Sequence, residues 1–306
     1  MAPSSVLVVG ATGKQGGAVL KALLSYPSPP KILALTRNKS SPAAEALLAR
    51  NEGKVWLVEG DTTKPAPIFA SQPEGSVDAV FLVTTPPKEE AQAIAFIDAA
   101  AAHGVSHLVF ASVDRGGEPK SWDNPTDIPH FIEKHTIELH LRDKVPAQEG
   151  GKTMRWTILR PTAFMDNMNP GMLGSMFVSM WAAGLKPETK LQLVATRDVG
   201  VWAARALMRP DEYAGKAISL AGDEVTLDEA KATFKRVVGT ELPQAWQVFG
   251  KGLMWAVGEV GRMFAFFQRE GYAADIAALR KEEESMQDLE TWLRTESGWK
   301  DKVVQS

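Results

Sequence analysis

Residues 6–20, VLVVGATGKQGGAVL, decide how the rest of the chain is read. Val6-Leu7-Val8-Val9 is an uninterrupted apolar run, long enough for a strand buried in a parallel sheet and too short to span a membrane. Gly10, Gly13, Gly16 and Gly17 follow, and then Ala18, Val19, Leu20, Leu23 and Leu24 recur with helical spacing. A glycine turn between a strand and a helix leaves N–H groups at the helix N-terminus facing outward, where a diphosphate can accept from them. Without Cβ atoms the backbone lets that ligand come close, and Gly13 is expected at positive φ. The spacing is G-x-x-G-x-x-G, a relative of the dinucleotide-binding G-x-G-x-x-G. Glycines alone also build plain structural turns; the strand before and the helix after are what favour a nucleotide.

The chain has 306 residues, enough for one large α/β domain or a domain with a smaller lobe. Its 44% hydrophobic and 23% charged content are those of a globular protein. A net charge of −3 gives no reason to expect direct nucleic-acid binding. The absence of cysteine excludes disulfides, thiolate catalysis and cysteine–zinc sites. The N-terminal MAPSSVLVVG has no basic region ahead of its apolar run, so no secretory leader is expected, and no stretch reaches bilayer length. The expected location is the cytoplasm, with the nucleus as a second compartment.

Further strands are expected at Lys31–Thr36, 54–59, 77–83, 105–113 and 154–159, with a helix over 89–103 that Gly104 ends. An acidic residue at the end of the second strand would accept from a ribose 2′-hydroxyl; this chain has Thr36-Arg37-Asn38-Lys39-Ser40-Ser41 there. A guanidinium pairs with a 2′-phosphate, so the place favours NADP(H), with NAD(H) as the alternative and a solvated basic loop as the plain reading. Asp61 and Thr62 suit either an adenine edge or an Asx-turn. Thr84-Thr85-Pro86-Pro87 closes the fourth strand, where parallel sheets form their ligand crevice.

Asp114 to Pro129 is a polar loop, expected to cover a site or to be mobile. Arg160-Pro161-Thr162-Ala163-Phe164 is expected to break the sixth strand at the crevice edge. Met165 to Leu185 carries five methionines with Phe177 and Trp181, an adaptable apolar stripe that suits a core or a substrate-pocket wall. Beyond it, strands at 190–194 and Lys216–Leu220 flank a helix at 198–208. Thr226 with Glu229 reads as a capping box, and 251–295 as helical and aromatic-rich (Trp255, Phe264, Phe266, Phe267, Tyr272, Trp292).

Groups able to do chemistry cluster after the fourth to sixth strands. Ser112 stands at a strand end, and His130 and Lys134 fall on one helix face. The imidazole can donate a proton and the lysine can bond a ribose, although an amphipathic surface helix explains an isolated H-x-x-x-K equally well. His130, His135 and His140 recur every fifth residue, which spreads them around the helix rather than gathering a metal site.

Taken together, Gly10-Ala11-Thr12-Gly13-x-x-Gly16, Thr36-Arg37-x-x-Ser40, Gly60-Asp61, His130-Phe131-x-x-Lys134 with Ile137-Glu138, Leu159-Arg160-Pro161-x-x-Phe164-x-x-Asn167, Asp198-Val199-Gly200 and Phe266-Phe267-x-x-x-Gly271-Tyr272 resemble the NmrA-like family, a branch of the atypical short-chain dehydrogenases/reductases. The resemblance implies an α/β fold: a doubly wound parallel-sheet Rossmann domain over 1–155 and a smaller, mainly α lobe over 156–306, with some segments returning to the main sheet. The nucleotide-binding set expected from residues and resemblance together is Gly10, Thr12, Gly13, Lys14, Gln15, Gly16, Arg37, Ser40, Asp61, Thr62, Thr84, Thr85, Pro86, Lys134, Pro161 and Phe164. Short-chain dehydrogenases work with Ser, Tyr and Lys, and Ser112 and Lys134 match two of those places. His130 stands in the third. The resemblance implies either a redox-sensing regulator that binds NADP(H) and a protein partner, or a reductase of a small carbonyl, enone or quinone with Lys134 as its polar group. A scaffold with a vestigial site would bind no dinucleotide.

Overall fold

The computed structural model describes residues 1–143, 145, 153–246, 250, 254 and 257–304. In chain order these form β1 (Ser5–Val8), α1 (Lys14–Leu24), β2 (Lys31–Thr36), α2 (Pro42–Arg50), β3 (Val55–Glu59), α3 (Ala66–Ala70), β4 (Ala79–Val83), α4 (Glu89–Ala102) and β5 (His107–Ala111). Next come α5 (Pro129–Asp143), β6 (Arg155–Pro161), β7 (Ala163–Phe164), α6 (Met172–Gly184), β8 (Leu191–Val194), α7 (Thr196–Met208), α8 (Pro210–Tyr213) and β9 (Lys216–Leu220). The chain ends with β10 (Asp223–Val225), α9 (Leu227–Val238), α10 (Gly258–Arg269), α11 (Ile276–Glu282) and α12 (Leu289–Thr295). Lys251 and Trp255, which the sequence places in its last helical stretch, lie outside the described residues.

Seven strands form one sheet in the order β3-β2-β1-β4-β5-β6-β9. Val6 stands opposite Ile32 on one side and Ala79 on the other, and the pairs through β6 are likewise parallel. Parallel strands between helix layers are buried on both faces, which is why they read as continuous apolar runs. Val6, Leu7, Val8, Val80, Phe81, Leu108 and Val109 are all fully buried. The chain order turns back on either side of β1, and such a switch point opens a crevice at the strands' C-terminal ends. The fold is thus the expected doubly wound α/β arrangement.

The chain divides into two compact units, the first comprising Met1–Val113, Glu133–Arg160 and Val199–Ile218, and the second Asp114–Ile132, Pro161–Asp198 and Ser219–Ser306. Within the second, β10, β8 and β7 make a three-stranded sheet. Its core is aromatic: Phe264 packs on Phe177 and Phe267 at 6.4 and 5.5 Å between ring centres, and Trp292 is buried. In the methionine stripe, Met165 and Met168 join the core while Met172 is exposed.

Two local expectations change. β6 continues through Pro161 instead of breaking after Leu159, because Arg160 turns inward. The polar segment after Val113 is anchored inside at its start. Asp114 and Arg115 are fully buried. The Asp114 carboxylate accepts from the Gly117 and Ala273 N–H groups, each at 3.0 Å, and the Arg115 guanidinium donates to Ser121 O at 2.7 Å. Charged side chains that satisfy backbone groups internally look, in sequence, like solvent-facing ones. Among the described residues no helix is long and apolar enough to cross a membrane, and no three acidic or histidine side chains gather as a metal site.

Candidate functional site

The glycine turn owes its shape to two positions. Gly10 has φ +69, and a Cβ there would stand 2.9 Å from Val83 Cγ1. Gly16 is tighter: a Cβ would meet Gly10 O at 2.2 Å, so only glycine lets α1 start against the turn. Gly13 differs from expectation, with φ −93 in extended backbone as the N-cap of α1. Its value lies in bareness, since positive φ falls on Gly10. No side chain caps α1 and its first turn has no acid, which leaves that end electropositive and open to an anion.

A cleft of about 850 Å³ opens beside this turn, entirely within the first unit. Its walls are the strand ends: Val9 and Gly10 after β1, Leu35 to Asn38 at β2, Gly60 to Thr63 after β3, and Leu82 to Pro87 at β4. A second concavity of about 740 Å³ lies along α1 and α2 and shares Thr12 and Gly13, but its wall is mostly Leu20, Leu24, Ala43, Ala46 and Leu47. The strand-end cleft brings together the polar groups a nucleotide needs.

At one end of that cleft, Arg37 is exposed, with no hydrogen bond or ion pair on its guanidinium among the described residues. Around it the loop is tied down. Ser40 N donates to Asn38 Oδ1 at 2.8 Å, Lys39 N to Glu59 Oε2 at 2.9 Å, and Ser41 caps α2. Asp61 forms the Asx-turn, accepting from Thr63 N at 2.9 Å. That backbone donor, then the Thr63 hydroxyl and the charges of Lys64 and Arg37, hold the exposed Asp61 carboxyl below its usual range. Gln92 donates to Pro87 O at 2.7 Å and fixes the β4 tail.

These observations fit a nicotinamide dinucleotide: a bare turn at an uncapped helix, a free guanidinium at the end of β2, and a polar, rigid tail after β4. A sequence profile of the NmrA-like family matches residues 2–292. The chain belongs to the NmrA-like family. It is 32% identical over 242 residues to the (4-alkanoyl-5-oxo-2,5-dihydrofuran-3-yl)methyl phosphate reductase of Streptomyces griseus, covering 78% of this chain and 75% of that one. Its fold is similar to that of NmrA, a negative transcriptional regulator crystallised with NADP (TM-score 0.70, 19% identity, 97% and 96% of the two chains). It is similar also to the NADPH-dependent quinone oxidoreductase of Escherichia coli in complex with NADPH (TM-score 0.70, 21% identity, 93% and 97%).

In this NmrA-like chain the three candidate catalytic groups each meet a carboxylate. Ser112 is buried and its hydroxyl donates to Glu138. Glu138 in turn holds Arg160, with Nη2 to Oε2 at 2.8 Å and both side chains fully buried. His130 Nδ1 lies 2.5 Å from Glu259 Oε1 and its backbone N–H donates to the same oxygen at 3.0 Å. Lys134 Nζ lies 3.0 Å from Glu89 Oε2.

Of the expected nucleotide set, Gly10, Thr12, Gly13, Arg37, Asp61, Thr62, Thr84, Thr85 and Pro86 line the cleft. Lys14, Gln15, Gly16, Ser40, Pro161 and Phe164 are not on its wall, while Lys134 touches it through Thr84 at 3.2 Å. Phe164 belongs to the second unit's sheet, where it pairs with Val194. Sequence reasoning missed Asn38, Gln92 and Ala93. Gln92 sits in a helix like any surface glutamine, and only the crevice end of β4 gives it a task.

Proposed function

We propose that the chain binds NADP(H) in the first-unit cleft and reduces a small conjugated carbonyl, enone or quinone. The observation that carries the nucleotide reading is Arg37, a guanidinium on the cleft wall at the end of β2 with no hydrogen bond or ion pair among the described residues. Arg37 would hold the 2′-phosphate; the turn from Gly10 to Gly13 and the first N–H groups of α1 would hold the diphosphate. Asp61 and Thr62 would face the adenine, and Thr84 to Pro86 with Lys134 the nicotinamide half. When bound, the dinucleotide supplies the hydride. The chain's own part is to orient it, with Lys134 held beside the reacting end by Glu89 and Thr84.

The reductase half draws on the Streptomyces griseus relative, which is a reductase. A specific observation favours the second reading, a nucleotide-sensing regulator with a protein partner: Ser112, His130 and Lys134 are each engaged by a carboxylate, so none of the three stands as an uncommitted proton donor of the dehydrogenase kind.

Calorimetry tests the nucleotide reading. Arg37→Ala should weaken NADPH roughly tenfold or more, because charge-assisted bonds to the 2′-phosphate are lost, and leave NADH nearly unchanged. Equal losses for both would assign Arg37 to the fold. Turnover of NADPH with a quinone, enone and aldehyde panel then separates the two readings. No turnover in a chain that binds NADPH supports the sensor.

A further inference from the structure

Lys134 has three ammonium protons and three acceptors around it. Glu89 Oε2 stands at 3.0 Å, Thr84 Oγ1 at 3.2 Å and the carbonyl of Ala111 at 3.3 Å. The Phe110 ring lies 5.4 Å below the nitrogen. Both charged side chains are buried, Glu89 at 1% and Lys134 at 9% exposure. Thr84 gives its one proton to Glu89 and therefore meets Lys134 as an acceptor. It is the member of this cluster that lines the cleft.

The strand order fixes where this cluster stands. β2 flanks β1 on one side and β4 on the other, with β5 beyond. A dinucleotide with its 2′-phosphate at Arg37 and its diphosphate at the glycine turn would run its other half toward the ends of β4 and β5, where Thr84 and Ala111 stand. NADP+ and NADPH differ by one charge, and that charge is on the nicotinamide ring. A lone lysine there would repel the oxidised ring; a lone carboxylate would attract it. Together they are neutral.

We propose that Glu89 and Lys134 form a charge-balancing pair that keeps either charge alone from biasing the site between oxidised and reduced nicotinamide dinucleotide, Glu89 acting as the positioning residue for Lys134. The inference rests on the nucleotide-binding reading above. A full charge within several ångströms, partly screened, changes an affinity roughly tenfold. Removing either partner exposes the charge of the other, in opposite senses.

The test is calorimetric titration of the full chain with NADP+ and with NADPH, compared among wild type, Glu89→Gln, Lys134→Met and the double variant. Relative to wild type, Glu89→Gln should raise the ratio Kd(NADP+)/Kd(NADPH) roughly tenfold and Lys134→Met should lower it by a similar factor. The double variant is neutral again and should return to the wild-type ratio within about twofold. A merely structural role would weaken both nucleotides together and leave the ratio where it was. Glu89→Gln keeps the shape and an acceptor for Thr84 and Lys134, so it decides alone if Lys134→Met does not fold. Two single variants that bind both nucleotides at the wild-type ratio, or shift it the same way, overturn the pair's role while leaving the nucleotide reading intact. A wild type that binds neither nucleotide overturns both.

Discussion

Thr157 donates its hydroxyl proton to the carbonyl of Tyr213 at 2.8 Å, so its 2.9 Å contact with His107 Nε2 runs the other way, with the imidazole donating. That fixes the tautomer and leaves Nδ1 without a proton, buried and with no hydrogen-bond partner among the described residues. Charging the ring would put a proton where no described group accepts it. Burial first, and the charge of Arg155 second, push the His107 pKa down to about 4, with Asp211 pulling weakly the other way. The unfolded chain titrates near 6.5, so between pH 6.5 and 4 it binds the proton that the folded chain refuses. The contribution of neutral His107 is therefore complete above pH 6.5 and lost on acidification, to the extent of about 3 kcal/mol at pH 4. Urea unfolding of wild type and His107→Gln from pH 7.5 down to 4.5 should show the wild type losing more with acid than the variant. Parallel curves would assign the acid sensitivity to other groups.

Helix ends show what local sequence reveals and what it hides. The start of α9 is legible because both halves of its cap are local: Thr226 accepts from Glu229 N and Glu229 accepts from Thr226 N. The start of α4 is not. Lys88 precedes it at φ 65 and supplies no cap; instead Glu133 on α5 accepts from the N–H groups of Glu89 at 2.5 Å and Glu90 at 3.3 Å. A carboxylate at a helix N-terminus also opposes the positive end of its dipole. Lys134 beside it pairs with Glu89, so one turn of α5 fixes the first turn of α4 and with it the tail of β4 that walls the cleft. Glu133→Ala should cost about 1 kcal/mol, similar to Thr226→Ala. Hydrogen exchange separates them: Glu133→Ala should speed exchange at Glu89 and Glu90, and Thr226→Ala should leave those amides as they were.

For the molecule as a whole, the parallel sheet and the glycine turn were legible because each is written in neighbouring residues. β2 falls where its continuous apolar run puts it, at Lys31–Thr36, and β9 also lies where expected, at Lys216–Leu220. The partners of the chemical groups were not legible, because they come from afar: Glu138 is 26 residues from Ser112, and Glu259 is 129 from His130. The buried charges matter most for stability. Arg160 donates through Nε to both oxygens of Glu138 at 3.2 Å and through Nη2 at 2.8 Å, in a site with no exposure to water. Removing the carboxylate leaves a guanidinium that can neither lose its proton nor reach solvent, at a cost of about 3–5 kcal/mol. Against a total stability of about 5–15 kcal/mol, Glu138→Ala should unfold a large fraction of the chain or lower its urea midpoint severely. Ser112→Ala removes one donor from a carboxylate that keeps its arginine, and should cost only about 1–2 kcal/mol. Replacing both charges, Glu138→Met with Arg160→Met, should restore most of what Glu138→Ala loses, since apolar side chains of similar volume carry no desolvation cost. If instead the double variant is as unstable as Glu138→Ala, the lost stability belongs to the packing of α5 against β5 and β6, not to the charge left on Arg160.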